Sequence, residues 1–246
     1  MQLQLKRQTL KQDVNGYEVW EKIIDNECWL PSETALILCD VWNEHWSRGA
    51  NERLALMLPR INYTIKIARE MGVQVIHSPS DTMDFYEGTS ARQRMIDAPA
   101  VRLPESLEHI DPPLPVNASD GGSDTGEKSP YNAWDRQHAA IEIDQQRDGI
   151  SDDGVEIYHF VQQKGINNLL IMGVHTNMCI LNRSFGIKQM VRLGMNVALV
   201  RDLTDAMYNP AMPPYVSHDE GTRLVIEYIE KFWCPTVLSD DIISSN

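Results

Sequence analysis

Cysteine is scarce in this chain. There are 4 in 246 residues (Cys28, Cys39, Cys179 and Cys234), and no two stand at CxxC spacing. That excludes a disulfide scaffold and argues against a structural zinc site. Basic residues are also short: 22 Lys and Arg face 35 Asp and Glu, for a formal net charge of −13. Acid spread along a chain repels phosphate backbones, so nucleic acid is not an expected partner and the charge serves solubility. Missing too is any apolar run near the roughly 20 residues that span a bilayer. Met1 to Asn15 is polar and lacks the apolar core of a secretory leader. The expectation is a cytoplasmic protein with no membrane partner.

What is present is an ordinary globular composition, 42% hydrophobic and 23% charged, in a chain long enough for a sizeable core. Residues 1–33 read as a polar N-terminal arm, with some amphipathic content around Tyr17 to Ile24, and 34–246 as a single domain. Ala35 to Val41 reads as a buried strand with an acid, Asp40, near its end. Leu54 to Met71 has helical spacing, with Pro59 expected at a start or kink, and Gly72 stops it. Val73 to Ser78 is the second strand.

The stretch at about 79–137 is different. It carries Pro104, Pro112, Pro113 and Pro115 and the polar run Ser119 to Asp124, and reads as a long insertion. Loops of this length serve as lids or partner-binding segments, and Tyr131 and Trp134 predict docking onto the body. Beyond it, Ala139 to Ile143 reads as a short strand and Asp153 to Lys164 as a helix. Strand Asn168 to Met172, helix Ile180 to Leu193, strand Asn196 to Val200 and helix Thr222 to Phe232 follow. This alternation predicts an α/β fold, three layers α/β/α around a central parallel sheet. Such sheets place their sites beyond the carboxyl ends of the strands, where Asp40, His77 and the turn Gly173 to Cys179 fall.

That turn is the most informative segment. A buried-strand run, Leu169 to Met172, passes through Gly173-Val174-His175-Thr176-Asn177-Met178 to Cys179 near the start of a predicted helix. Backbone N–H groups and the positive helix end would then face a thiol and favour thiolate, the nucleophilic form. Packing alone also accounts for a cysteine at such a turn.

The order of these features resembles the isochorismatase-like cysteine hydrolases, which include nicotinamidases, N-carbamoylsarcosine amidases and isochorismatases. The resemblance rests on Leu36 to Asn43 with its aspartate, on the Gly173 to Cys179 signature, and on Val197 to Asp202 followed by Asp205-Ala206. It implies that Cys179 is the nucleophile that forms a thioester and that Asp40 is the acid–base residue. It also implies a cis Val174–His175 peptide and an oxyanion hole of N–H groups around Met178 and Cys179. The family places a lysine at the end of the strand before the helix that here starts near Asp153. No lysine lies between Lys128 and Lys164, and Asp148 or Arg147 falls near that place, with Lys128 as a third possibility. Asp148 is therefore carried as the third catalytic candidate, although a carboxylate there reverses the local field.

Trp42, with Trp46, Phe85, Tyr86 and Trp134, could stack on a planar substrate, and His175 and Asn177 could donate to its carbonyl, beside Met178. Arg183, one turn past Cys179, could add positive charge near the thiol or pair with Asp40. His77 and Asp81, with His45 and His175 elsewhere, make a poor ligand set, so no metal and no cofactor are expected. The implied activity is hydrolysis of a C–N bond in a small molecule. The alternative is a catalytically altered protein of the same fold that binds a small molecule or partner. The resemblance also implies a homo-oligomer.

Overall fold

Apolar runs that hide both faces of a strand belong in the middle of a parallel sheet, and here they form it. The computed structural model describes residues 1–128 and 130–245. Its strands are β1 (Gln2–Gln12), β2 (Glu18–Cys28), β3 (Thr34–Cys39), β4 (Gln74–Ser78), β5 (Gly149–Ile150), β6 (Asn168–Val174), β7 (Asn196–Asp205) and β8 (Thr236–Val237). They make one sheet in the order β2-β1-β8-β7-β6-β3-β4-β5. The six strands from β8 to β5 run parallel. The helices are α1 (Arg48–Met71), α2 (Ser90–Ile96), α3 (Gly154–Gln163), α4 (Cys179–Asn182), α5 (Ile187–Arg192), α6 (His218–Phe232) and α7 (Ser239–Ile243). Successive residues of β3 serve opposite layers. Ala35, Ile37 and Cys39 pack with residues of α3, α5 and α6, and Leu36 and Leu38 pack with α1 and α7. This is the three-layer α/β/α architecture expected. No helix among the described residues is long and apolar enough to cross a membrane.

Four local expectations need correction. The arm is a β-hairpin that extends the sheet antiparallel through the Lys6–Thr236 pair. Leu3 and Leu5 alternate with polar residues and are buried, a period of two that a polar average conceals. Ala139 to Ile143 is not a strand. The edge strand beside β4 is β5, and Ile141 packs instead with the α1 layer. The helix expected over Ile180 to Leu193 is broken into α4 and α5, because Arg183 turns out to an extended conformation (ψ 156°). The break lies where α3 comes close: a Cβ on Gly154 would stand 1.9 Å from the Ser184 carbonyl oxygen. Pro59 lies inside α1, which continues through it to the left-handed Gly72 cap (φ 94°).

Candidate active site

β3 and β6 are neighbours whose following chains part to opposite sides of the sheet, and their carboxyl ends bring Asp40 and Cys179 together. Asp40 adopts a left-handed conformation (φ 49°) that aspartate tolerates better than most residues. Its N–H donates to the Ser78 carbonyl at 3.0 Å, and its Oδ1 accepts from the Ser80 N–H at 2.7 Å. The Cys179 thiol lies close enough to the Asp40 carboxylate for each to shift the other's proton equilibrium. Arg183 completes the cluster: its Nε donates to Asp40 Oδ2 at 3.0 Å and its Nη2 to Asp81 at 3.1 Å. Asp40 is buried and Cys179 is partly exposed, so Cys179 is the more accessible residue of the pair.

The electrostatics differ from the expectation of a thiolate at a helix start. Burial, then the Asp40 charge, push the Cys179 thiol well above its usual value, and Arg183 and the His175 N–H only partly offset them. α4 is a single turn and lacks the dipole of a longer helix. Burial likewise raises Asp40, against Arg183 and the hydrogen bonds from Cys179 and Ser80. The resting arrangement is a protonated thiol beside a carboxylate that is a stronger base than a free aspartate. That is the arrangement for a proton transfer coupled to attack by sulfur.

The turn between β6 and α4 begins with a cis Val174–His175 peptide. The Met178 N–H is already used, donating to the His175 carbonyl at 3.0 Å. Cys179 is the first residue of α4, and among the described residues its own N–H has no acceptor. It is thus the free donor of the expected pair. Asn177 is also spent: its Nδ2 donates to the Met207 carbonyl at 2.8 Å and its Oδ1 accepts the Met207 N–H at 2.9 Å. These two bonds fix the turn against the chain that follows β7. Met178 packs with Trp46, Met207 and Trp134. Trp42 donates Nε1–H to the Ser80 carbonyl and stacks on Trp134, with centroids 3.9 Å apart. His45 lies beside both indoles and meets the His175 ring edge-on at 4.9 Å.

A model of the isochorismatase domain matches residues 34–212. The chain belongs to the isochorismatase family. Among solved structures it is similar to a cysteine hydrolase from Pseudomonas syringae pv. phaseolicola 1448A, at 16% identity and a TM-score of 0.53, over 88% of this chain and 94% of that one. It is also similar to an isochorismatase from Pseudomonas putida KT2440, at 13% identity and a TM-score of 0.51, over 87% and 92% of the two chains. These likenesses concern the fold. No curated protein matches this chain.

Within this isochorismatase-family fold, Asp148 does not stand where the third catalytic candidate was expected to act. It precedes β5 and lies buried in a triad: Arg69 donates to both its oxygens, at 3.0 and 2.6 Å, and His77 Nε2 lies 3.0 Å from Oδ2. Burial raises its carboxyl, but the His77 and Arg69 hydrogen bonds more than offset this and hold it below the ordinary aspartate value. The cation that acts on Cys179 is Arg183. His77 is bonded through Nδ1 to Gln137 at 3.0 Å. Neither Arg147 nor Lys128 supplies the missing lysine's charge: the Arg147 side chain pairs with Asp144, and Lys128 is exposed.

One network was not anticipated. Arg53 of α1 donates to Asp205 at 2.9 Å and to both oxygens of Asp124, at 2.9 and 3.2 Å. His218 Nε2 lies 2.9 Å from Asp205. The signal available was Asp124 in a polar run and Asp205 at a strand end, with nothing to pair them across 81 residues of chain. The network fastens the long insertion to the body. So does the pairing of Trp42 with Gln137, through which Trp134 is laid over Trp42.

Proposed function

We propose that this chain is a cysteine hydrolase that cleaves a C–N bond of a small molecule. Cys179 is the nucleophile, Asp40 the base and then the acid, and Arg183 the fixed cation beside both. The observation that carries this reading is the Asp40–Cys179–Arg183 cluster, in which a partly exposed cysteine lies beside a buried carboxylate held by a guanidinium. In the first step Cys179 Sγ bonds to the carbonyl carbon as its proton passes to Asp40. The oxygen takes the negative charge, for which the Cys179 N–H is the free donor. The C–N bond then breaks, the leaving nitrogen takes the proton from Asp40, and a thioester remains. Water attacks the thioester and gives a proton to Asp40. The C–S bond breaks and the proton returns to sulfur. One water is consumed, and an acid and an amine leave.

Trapping tests this directly. Incubation with a panel of small primary amides, acid quench and intact-mass analysis should give an acyl adduct on Cys179, absent in Cys179→Ala. The second reading is a binding protein on the same fold, favoured by the raised thiol and the missing family lysine. It predicts amides that raise the unfolding temperature with no adduct and no ammonia released.

A further inference from the structure

Buried polar atoms in folded proteins almost always have partners, and an orphan marks a ligand's place or an unfilled need. His175 is 3% exposed, and among the described residues neither of its ring nitrogens has a hydrogen-bond partner. The nearby Asp205 carbonyl accepts the Thr176 N–H at 2.9 Å. The ring belongs to the same turn as the nucleophile, four residues before Cys179. The Nε1 of Trp134, which covers the neighbouring His45, is buried without a partner too.

The charges around this spot are settled in advance. Arg183 is matched by Asp40 and Asp81, and Arg53 by Asp124 and Asp205. Four carboxylates thus surround two guanidiniums, with His218 against Asp205 as the only further cationic group of these networks among the described residues. Neither guanidinium is left to receive an anion. A neutral imidazole presents one N–H donor and one lone-pair acceptor. A carboxamide or urea answers both, through its C=O and its N–H. A carboxylate answers only the donor, and adds a buried negative charge to a site already in deficit.

We infer that the site beside Cys179 takes uncharged amide- or urea-type compounds and rejects carboxylate-bearing ones, with His175 as the residue that reads the difference. Burial keeps the imidazole neutral, with its value down to about 3, as this reading requires. The inference rests on Cys179 being the nucleophile of the proposed hydrolase.

The test needs no knowledge of the natural substrate. Iodoacetamide and iodoacetate carry the same reactive carbon and differ only as amide and carboxylate. Their alkylation rates at Cys179, read by peptide mass spectrometry, are compared with those of a neutral model thiol, N-acetylcysteine amide, at about 1 M salt to screen long-range charge. The expected amide-to-carboxylate ratio at Cys179 exceeds that of the model thiol by about tenfold or more. In His175→Leu it falls back toward the model value, and in His175→Asn, which keeps a donor and an acceptor, it is largely retained. An equal ratio in the wild-type chain, or faster iodoacetate, overturns the inference even if the variants do not fold. A thiol that neither reagent reaches in the folded chain, while both label it in denaturant, overturns the hydrolase reading itself.

Discussion

Arg183 Nε sits 3.0 Å from Asp40 Oδ2, and that pair joins the end of β3 to the broken helix that follows the cysteine. Asp40 is fully buried, whereas the Arg183 side chain is 31% exposed. The guanidinium therefore reaches inward from the surface to neutralise a carboxylate that cannot leave.

Removing that cation should be felt first at the thiol. Arg183 lowers both Asp40 and Cys179, so Arg183→Met raises both further. Alkylation of Cys179 at pH 8 is expected to slow by about tenfold, with the pH profile moved upward, while Arg183→Lys retains much of the rate. The stability loss should be about 1–3 kcal/mol, below that of a fully buried pair because the arginine is partly solvated. A rate in Arg183→Met equal to wild type removes the cation from the mechanism.

Asp40→Asn should divide reactivity from turnover. After burial, the Asp40 charge is the largest cause of the raised thiol. Without it the alkylation profile shifts to lower pH, yet hydrolysis falls by about 10²–10⁴, because the proton has no base to take it. Stopped-flow alkylation beside an amine-release assay measures both. An unmoved profile disproves the coupling.

Asp148→Asn should behave as a structural change. It leaves Arg69 buried opposite a neutral amide and weakens the hold on His77. A loss of about 3–5 kcal/mol is expected in denaturant unfolding, with the Cys179 alkylation profile unchanged. A shifted profile would return Asp148 to the catalytic set.

Acid should weaken the fold through two imidazoles. Burial pushes His45 down to about 4 and His175 down to about 3, against roughly 6.5 in an unfolded chain. The unfolded state takes up protons first as pH falls, so stability drains below about 6.5 at up to about 1.4 kcal/mol per pH unit for each, less for the partly exposed His45. His218 runs the other way. Burial lowers it, but the Asp205 hydrogen bond and charge more than offset that, so its contribution is present at low pH and fades as pH rises through the raised value. Unfolding midpoints from pH 7.5 to 5 should fall less steeply in His175→Asn than in wild type. Identical slopes would mean that the ring is not buried neutral.

Much of this architecture was readable because its signals are local. Strands β3 and β6 are apolar on both faces, which only a central position permits, and glycines close the helices before β4 and β6. The nearness of Asp40 and Cys179 follows once those strands are neighbours. The Arg183–Asp40 pairing was one of two roles the sequence offered, and choosing it depends on a helix break imposed by α3 packing at Ser184, which no periodicity encodes. Asp148 misled for the opposite reason. Its distance along the chain suited the site, while its partners, Arg69 of α1 and His77 of β4, lie 79 and 71 residues away. The hairpin escaped notice because only Met1, Leu3, Leu5 and Gln8 of its first strand and approach are buried.

The indoles of Trp42 and Trp134, nearly parallel at 11° and 3.9 Å apart, are close enough to share their electronic transitions. Their ultraviolet absorption and emission are therefore a joint property of the loop and the sheet edge. A molecule that parts them separates one optical signature into two, so the protein carries its own unlabelled gauge of whether the long insertion lies against the body.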